Sequence, residues 1–461
     1  MEDVIDSEEA KKVIRENINA LSSLLKALSQ DNRLKILSLL LDGEKEFHQF
    51  KENLTLSKTA LANHLSVLLD NNLIKKIERG SYDITKDGKD LILSIVLSYR
   101  KSQIHSLEIR KRLWNKYLPE KIESSSGIHN KFIVEIPAKY VPGWISYVSS
   151  ITGVLKSLNK NIDQIDVAGN TGHAFFFNVA EGITDPSGPS CVVKMHSFHE
   201  GIEVFGWKLK EWYQPLSRDT SNLPIKPDLF KKIFNAVKDG LERMNRPVIL
   251  WGIPIPEYGI VNGYEDDKYI VSTFRSSDPE KRFGPDTDTK FDDIVPPGRM
   301  QALFFEETVL PPEKEKSDLR SIRNALNLSN LHQKGSGYIS GPNAFYEWAE
   351  VIEGEIEFIS YHGNSYISKC IYEALCFANE YISRIARRYS DIAQYRYLIN
   401  ASDQFKEAKS LMKQYEVLFP FAFDGDLNYK KRQRGAEILR KIAPYISGAF
   451  ANMSDALENW E

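Results

Sequence analysis

Two sets of residues in this 461-residue chain have the types and spacing to do recognition or chemistry. In the first, Ser57, Lys58, Thr59, Asn63 and His64 fall within about two turns of a helix whose opposite side carries Leu61, Leu65, Leu68 and Leu69. Hydroxyl, amide and imidazole groups on one exposed face offer the donors and acceptors that base edges in a DNA major groove require. Lys75, Lys76 and Arg79 follow shortly after, and cations there suit phosphate, which positions a protein on a duplex without specifying sequence.

The second set is spread through the middle of the chain. His173, Trp251, Glu257, Tyr258, Tyr264 and Asp266 combine aromatic surfaces with a few polar groups, a combination suited to holding a small molecule or peptide. Ser149 and Ser150 with His173 form an alternative, catalytic set, in which a serine hydroxyl acts as nucleophile only beside a positioned base. His196, His199 and Glu203 are spaced as on one helix face, but the following EVFGWKL reads as strand and no further ligand cluster accompanies them, so no metal is expected. Cys191, Cys370 and Cys376 are too few and too irregular for a disulfide framework or a zinc site, and no cofactor is expected.

The elements that must position the first set are legible. LSSLLKALSQDNRLKILSLLL (21 to 41) has helical periodicity on both sides of Asp31, which is placed to cap the second of two helices. FHQFKENL gives a short third helix, and Ser57 opens the fourth. LIKKIERGSYDITKDG then reads as two extended runs around Arg79-Gly80, a β-wing. Helix, helix, turn, helix, hairpin is the order of a winged helix-turn-helix, and the helix from Ser57 would enter the groove with its N-terminal polar residues foremost. Residues 86 to 118 continue as a long helix with Leu91, Ile95, Leu107 and Leu113 among its apolar positions, a dimerisation arm.

Beyond the polar SSSGIHN the character changes to strands, short helices and frequent Gly and Pro, an α+β pattern. HAFFFNV, EVFGWKL, RPVILWGI, YGIVNGYEDDKYIVSTF and RMQALFFEE read as strands, with helices near 143 to 158 and 227 to 244. EKEKSDLRS reads as an exposed charged connection. Residues 342 to 459 are helical almost throughout, broken at Pro420 and Asp424-Gly425-Asp426. Apolar stripes such as Tyr366, Cys370 and Leu375 read as bundle core.

Composition narrows the class. With 42% hydrophobic and 27% charged residues the chain is globular, and its length suggests about three domains. The net charge of −3 hides a local excess: Ile74 to Lys116 carries eleven Lys and Arg against five acids. The N-terminus is acidic, with no basic segment leading into an apolar run, and no stretch of about 18 apolar residues occurs, so the reading is cytoplasmic with no membrane partner.

The segments LSQDNRLKILSLL, LSKTALANHLSVLLDNNLI and RGSYDITKDG resemble the ArsR-like group of repressors over roughly the first 120 residues. The resemblance implies a dimer reading two half-sites of double-stranded DNA; the Cys or His clusters of the family's metal sensors are not found in this part of the sequence. GNTGHAFFFNVAEGITDPSGPS, RPVILWGIPIPEYGIVNGYEDDKYIVST and the helix from Gly143 resemble a papain-like branch that includes the bacteriocin-leader-processing peptidases and the amino-terminal domain of butirosin biosynthesis protein H. The C-terminal helical segments resemble the carboxyl-terminal helices of the same relatives. In active members a cysteine begins the helix and a histidine opens the strand before a Gly-Tyr-Asp turn. Here those places read Ser149-Ser150 and Glu257-Tyr258-Gly259, with Asp266 at the acid position.

The resulting expectation is a multidomain α+β protein: a winged helix-turn-helix domain with dimerisation helix (1–120), a catalytically inactive papain-like α+β domain (131–312) and a helical bundle (338–461). It would act as a homodimeric DNA-binding transcriptional regulator sensing a small-molecule or peptide effector. The alternative is an acyl or peptidyl transferase or hydrolase using Ser149 or Ser150 with His173.

Overall fold

The computed structural model describes residues 7–54, 56–77, 80–101, 130–158, 161–190, 196–216, 227–277 and 284–460. The chain divides into two compact units, residues 1–111 and 112–461.

In the first unit, helices α1 (Ser7–Leu28) and α2 (Asp31–Leu41) precede a short strand β1 (Lys45–Glu46), then α3 (Phe47–Asn53), α4 (Lys58–Asp70), strands β2 (Ile74–Lys76) and β3 (Ser81–Ile84), and α5 (Lys86–Lys101). Local chemistry sets the boundaries. The Ser57 hydroxyl accepts from the Ala60 amide at 3.2 Å and so caps α4, while the Gln49 side chain accepts from the Glu46 amide at 2.8 Å in a capping box that starts α3. Asp31 does not cap α2: Gln30 is the extended residue before the helix, and Asp31 is its first helical residue, where its carboxylate faces the positive end of the helix dipole instead. Ile36, Leu37, Leu40, Phe50, Leu61, Leu65, Leu68 and Ile74 pack into one core. The hairpin gains a third strand that the sequence reading did not include, because β1 pairs antiparallel with β3 through only two residues.

The second unit is built on a seven-stranded antiparallel sheet in the order β10-β9-β8-β7-β11-β6, with β4 pairing β8. Its strands are β4 (Lys131–Ile133), β6 (Trp207–Pro215), β7 (Val248–Trp251), β8 (Tyr258–Glu265), β9 (Lys268–Ser272), β10 (Thr289–Lys290) and β11 (Arg299–Thr308). Alternation along β7 sends Val248 and Leu250 to one face and Ile249 and Trp251 to the other. The first face is covered by α9 (Pro227–Met244) through Ile233, Val237 and Leu241. The second face meets α6 (Ser146–Leu158) through Val148, Ile151 and Leu155.

Around α6 lie α7 (Gln164–Thr171), the short α8 (His196–Glu200) and α10 (Phe274–Ser277), then the C-terminal helices α11 (Lys314–Leu328), α12 (Pro342–Glu353), α13 (Tyr361–Arg388), α14 (Tyr395–Leu418) and α15 (Tyr429–Glu458). Residues 131–312 and 338–461 share one continuous hydrophobic core, from Ile260 and Leu303 of the sheet to Tyr381, Phe405 and Ile446 of the helices. A two-stranded sheet of β5 (Asn178–Ala180) and β12 (Tyr338–Ser340) also joins them.

Three expectations change here. EVFGWKL is strand only from Trp207, because Gly201–Phe205 form a 3₁₀ turn. HAFFFNV is not one strand: His173–Phe175 form a 3₁₀ turn and only its end enters β5. EKEKSDLRS is not a connection but the start of α11; residues 313–316 are exposed, whereas Asp318 is fully buried and its carboxylate accepts from Arg388 at 2.7 and 2.9 Å and from Tyr389 at 3.1 Å. A charged segment folds inward when each buried charge meets a partner.

Candidate functional site

The fourth helix presents Ser57, Lys58, Thr59 and Asn63 to solvent, while Leu61, Leu65 and Leu68 are buried beneath them. His64 is half-buried, and burial together with the nearby Arg33 cation lowers its pKa, so near neutral pH it is an uncharged donor and acceptor rather than a phosphate-binding cation. Arg33 is itself held by the Ala27 and Lys26 carbonyls at the end of α1. In the hairpin Lys75 and Lys76 are exposed, and Lys75 reaches Asp83, directly across the ladder, at 3.3 Å. Tyr82 packs edge-on against Phe50 of α3, which fixes the hairpin to the helices. Gly80 turns the chain with φ +85°. Arg79, like residues 102–118 of the expected long helix, lies outside the described residues.

Residues 30–76 match the family model described as bacterial regulatory protein, arsR family. This segment is an arsR-type helix-turn-helix domain, which suggests a DNA-binding transcriptional regulator. The match runs from Gln30, at the N-terminus of α2, to Lys76 at the end of β2, and so contains all the first-set residues except Arg79. No curated protein matches the chain.

Outside the arsR-type domain, the second set is brought together only in part. His173, Tyr147, Tyr258 and Trp251 form a row of rings with successive centroid separations of 4.3, 5.4 and 4.9 Å. Thr171 Oγ1 donates to the Val167 carbonyl at 2.7 Å and therefore accepts from His173 Nδ1–H at 3.2 Å, which assigns the tautomer. Burial, and secondarily His199, pushes the imidazole down to about 3, so it is neutral. The Tyr258 hydroxyl donates to Gln301 at 2.6 Å and accepts from Arg299 at 2.9 Å, while the Arg299 guanidinium lies 4.5 Å from the Trp251 ring centre.

Tyr264 and Asp266 are not in this row. The register of β8 against β9 shifts between Val261 and Gly263, leaving Asn262 as an extra residue whose side chain bonds the Ala138 amide and carbonyl at 2.8 and 2.9 Å. The bulge reverses the alternation, so Tyr264 joins the opposite face beside Phe234 and donates to Glu242. Asp266 is a turn residue with φ +53°, whose carboxylate accepts from the Asn130 amide at 3.1 Å.

Ser149 and His173 do not pair either. Ser149 Oγ accepts from Gln164 at 3.3 Å and hydrogen-bonds Tyr140, and the Ser150 hydroxyl is buried with no hydrogen-bond partner among the described residues. Glu203 meets Arg320 at 3.5 Å, and the His196 side chain lies outside the described residues. Among the described residues, no three His, Cys, Asp or Glu are grouped to hold a metal ion.

Glu257 does not join the aromatic row but a polar cluster beside it, which the sequence reading missed. Its carboxylate accepts from the Tyr366 hydroxyl and from Ser146, whose own oxygen accepts from the Tyr258 amide at 3.0 Å. Nearby, one carboxylate oxygen of Glu373 accepts from the Trp144 and Ile145 amides, both at 2.8 Å, just ahead of α6. Gly143 permits this approach, since a Cβ there would stand 2.6 Å from Ser149 Oγ and 3.0 Å from Glu373 Oε1. Cys370 lies among them with its thiol against the Trp144 carbonyl at 3.6 Å, and burial pushes that thiol well up. Desolvation pushes both carboxyls up to about 7. The signal was present in the sequence: Tyr366, Cys370 and Glu373 share one helix face, and an acid in a stripe otherwise read as core was the clue.

Proposed function

We propose that the protein is a cytoplasmic, homodimeric transcriptional regulator in which the unit of residues 112–461 binds a small-molecule or peptide effector and biases DNA binding by the arsR-type domain. The observation that carries the DNA half is the exposed polar face of α4, capped by Ser57 and followed by the lysine-bearing hairpin. Ser57, Lys58, Thr59, Asn63 and His64 meet base edges and the adjacent backbone, and Lys75, Lys76 and Arg79 meet phosphate.

Self-association is supported by apolar side chains left exposed on α1 (Val13, Ile14, Ile18, Leu25) and α5 (Leu93, Ile95, Val96), which a second copy would cover. The effector half is supported by His173, Trp251 and Tyr258 in the aromatic row and by Glu257 beside it. Regulation requires the effector to bind the two DNA-affinity states unequally.

The papain-like reading is supported by the start of α6 meeting the start of β8, through Ser146, Glu257 and Tyr258. With serine, glutamate and tyrosine there, and with Ser149 and His173 each bonded elsewhere, the site binds rather than cleaves. Fluorescence anisotropy with duplexes from the gene's own upstream region, titrated across salt, tests the DNA half. Sequence-selective, salt-dependent binding is the expected result; its absence would overturn the reading.

A further inference from the structure

We infer that Glu257 and Glu373 close the floor of an aromatic cage for an organic ammonium, built from rings other than the His173, Tyr258 and Trp251 row and reached from it through Glu257. This rests on the effector-sensing reading above and names the chemistry of its ligand.

Five half-buried rings stand together outside the carboxyl pair. Trp144 packs edge-on against Phe421 at 4.7 Å and lies 6.3 Å from Tyr366; His362 stacks on Phe423 at 4.6 Å and stands 5.7 Å from Phe421. They come from three separate places: the approach to α6, the first turns of α13, and the α14–α15 connection. Each retains accessible surface, where rings serving only as core would be covered. The cage is continuous with the acids, because the Tyr366 hydroxyl bonds Glu257 and the Trp144 amide bonds Glu373.

Charge selects the ligand. A carboxylate withdrawn from water is ordinarily neutralised by a cation, yet among the described residues no Lys, Arg or His pairs with the buried Glu257 or the half-buried Glu373, whose hydrogen bonds come from hydroxyls and amides. Their raised pKa values say that a proton serves in place of the missing counter-ion. An ammonium would supply that charge, donating to carboxylate oxygens while its remaining surface meets the π faces. An anion would face two acids and would find the amides at the start of α6 already held by Glu373. A cation already occupies the rim: Lys369 Nζ stands 5.9 Å from the Trp144 ring centre while bonded to Glu416 at 3.1 Å.

The test is calorimetric titration of the full chain with phenethylammonium and with its uncharged analogue 2-phenylethanol, at about pH 8, where both carboxyls are ionised and the amine remains charged. The ammonium is expected to bind at least about tenfold more tightly than the alcohol, and Glu373→Gln and Phe421→Leu each to weaken it by about tenfold. Circular dichroism melts establish that the variants are folded; should Glu373→Gln not fold, the alcohol comparison and Phe421→Leu still decide. Equal binding of the two probes, no binding of the ammonium to the folded wild-type chain, or binding indifferent to both substitutions overturns the inference. The same ammonium added to the DNA titration separates the two readings. Binding as expected with unchanged DNA affinity supports the cage and overturns its role as the effector site.

Discussion

The hydroxyl of Tyr366 on α13 donates to the buried carboxylate of Glu257, 109 positions earlier, and so ties the helical region to the turn that opens β8. Removing the hydroxyl with Tyr366→Phe leaves the Glu257 carboxylate with less compensation. The expected loss is about 1–3 kcal/mol of unfolding free energy, measured by urea denaturation at neutral pH. A change within error would mean that the bond contributes nothing to stability.

Stability should depend on pH through the same cluster. Glu257 and Glu373 are raised from 4.5 to about 7, so between those values the folded chain holds protons that the unfolded chain has released. Their contribution is therefore fully present below about 4.5 and is lost as pH rises through about 7. The groups facing them are the hydroxyls of Ser146, Tyr140, Tyr258 and Tyr366 and the thiols of Cys370 and Cys376. At roughly 1.4 kcal/mol per pKa unit the effect reaches at most about 3.5 kcal/mol for each carboxyl. Wild type and Glu257→Gln, compared by chemical denaturation across this window, should differ in slope, with the variant flatter; parallel curves would contradict it.

For DNA, the two kinds of contact separate by salt. Asn63→Ala or Thr59→Ala should cost about 1–3 kcal/mol on the preferred duplex and less on an unrelated one. Lys76→Ala should weaken both alike and lower the slope of log affinity against log salt by about 1. Anisotropy titrations at several salt concentrations read both quantities.

Arg388→Met removes the bidentate partner of Asp318, which is fully buried. Tyr389 and Lys314, the latter at 3.4 Å, remain to compensate in part. A loss of about 3 kcal/mol is expected in urea denaturation. Wild-type stability in the variant would show that these two groups suffice for the Asp318 carboxylate.

Much of this was legible in the sequence because it depends on neighbours within one or two helical turns. The leucine stripe of α4, its Ser57 cap, the glycine turn of the hairpin and helix α9 follow from periodicity and capping chemistry, which act locally. Where a local pattern had two solutions the reading failed: Asp31 could begin a helix from inside as well as cap it, and a charged run could be helix as readily as connection.

The sequence by itself therefore determined the arsR-type domain and the residues on its exposed face. Tertiary structure alone decided the rest of the candidate site. One extra residue in β8 moved Tyr264 to the opposite face, an outcome set by where Asn262 finds its partners in the Ala138 backbone. The carboxyl pair and its cage assemble from segments that nothing local brings together; they meet because one hydrophobic core packs α6, the sheet and α13 against each other. Burial within that assembly, not the identity of the acids, raises their pKa values.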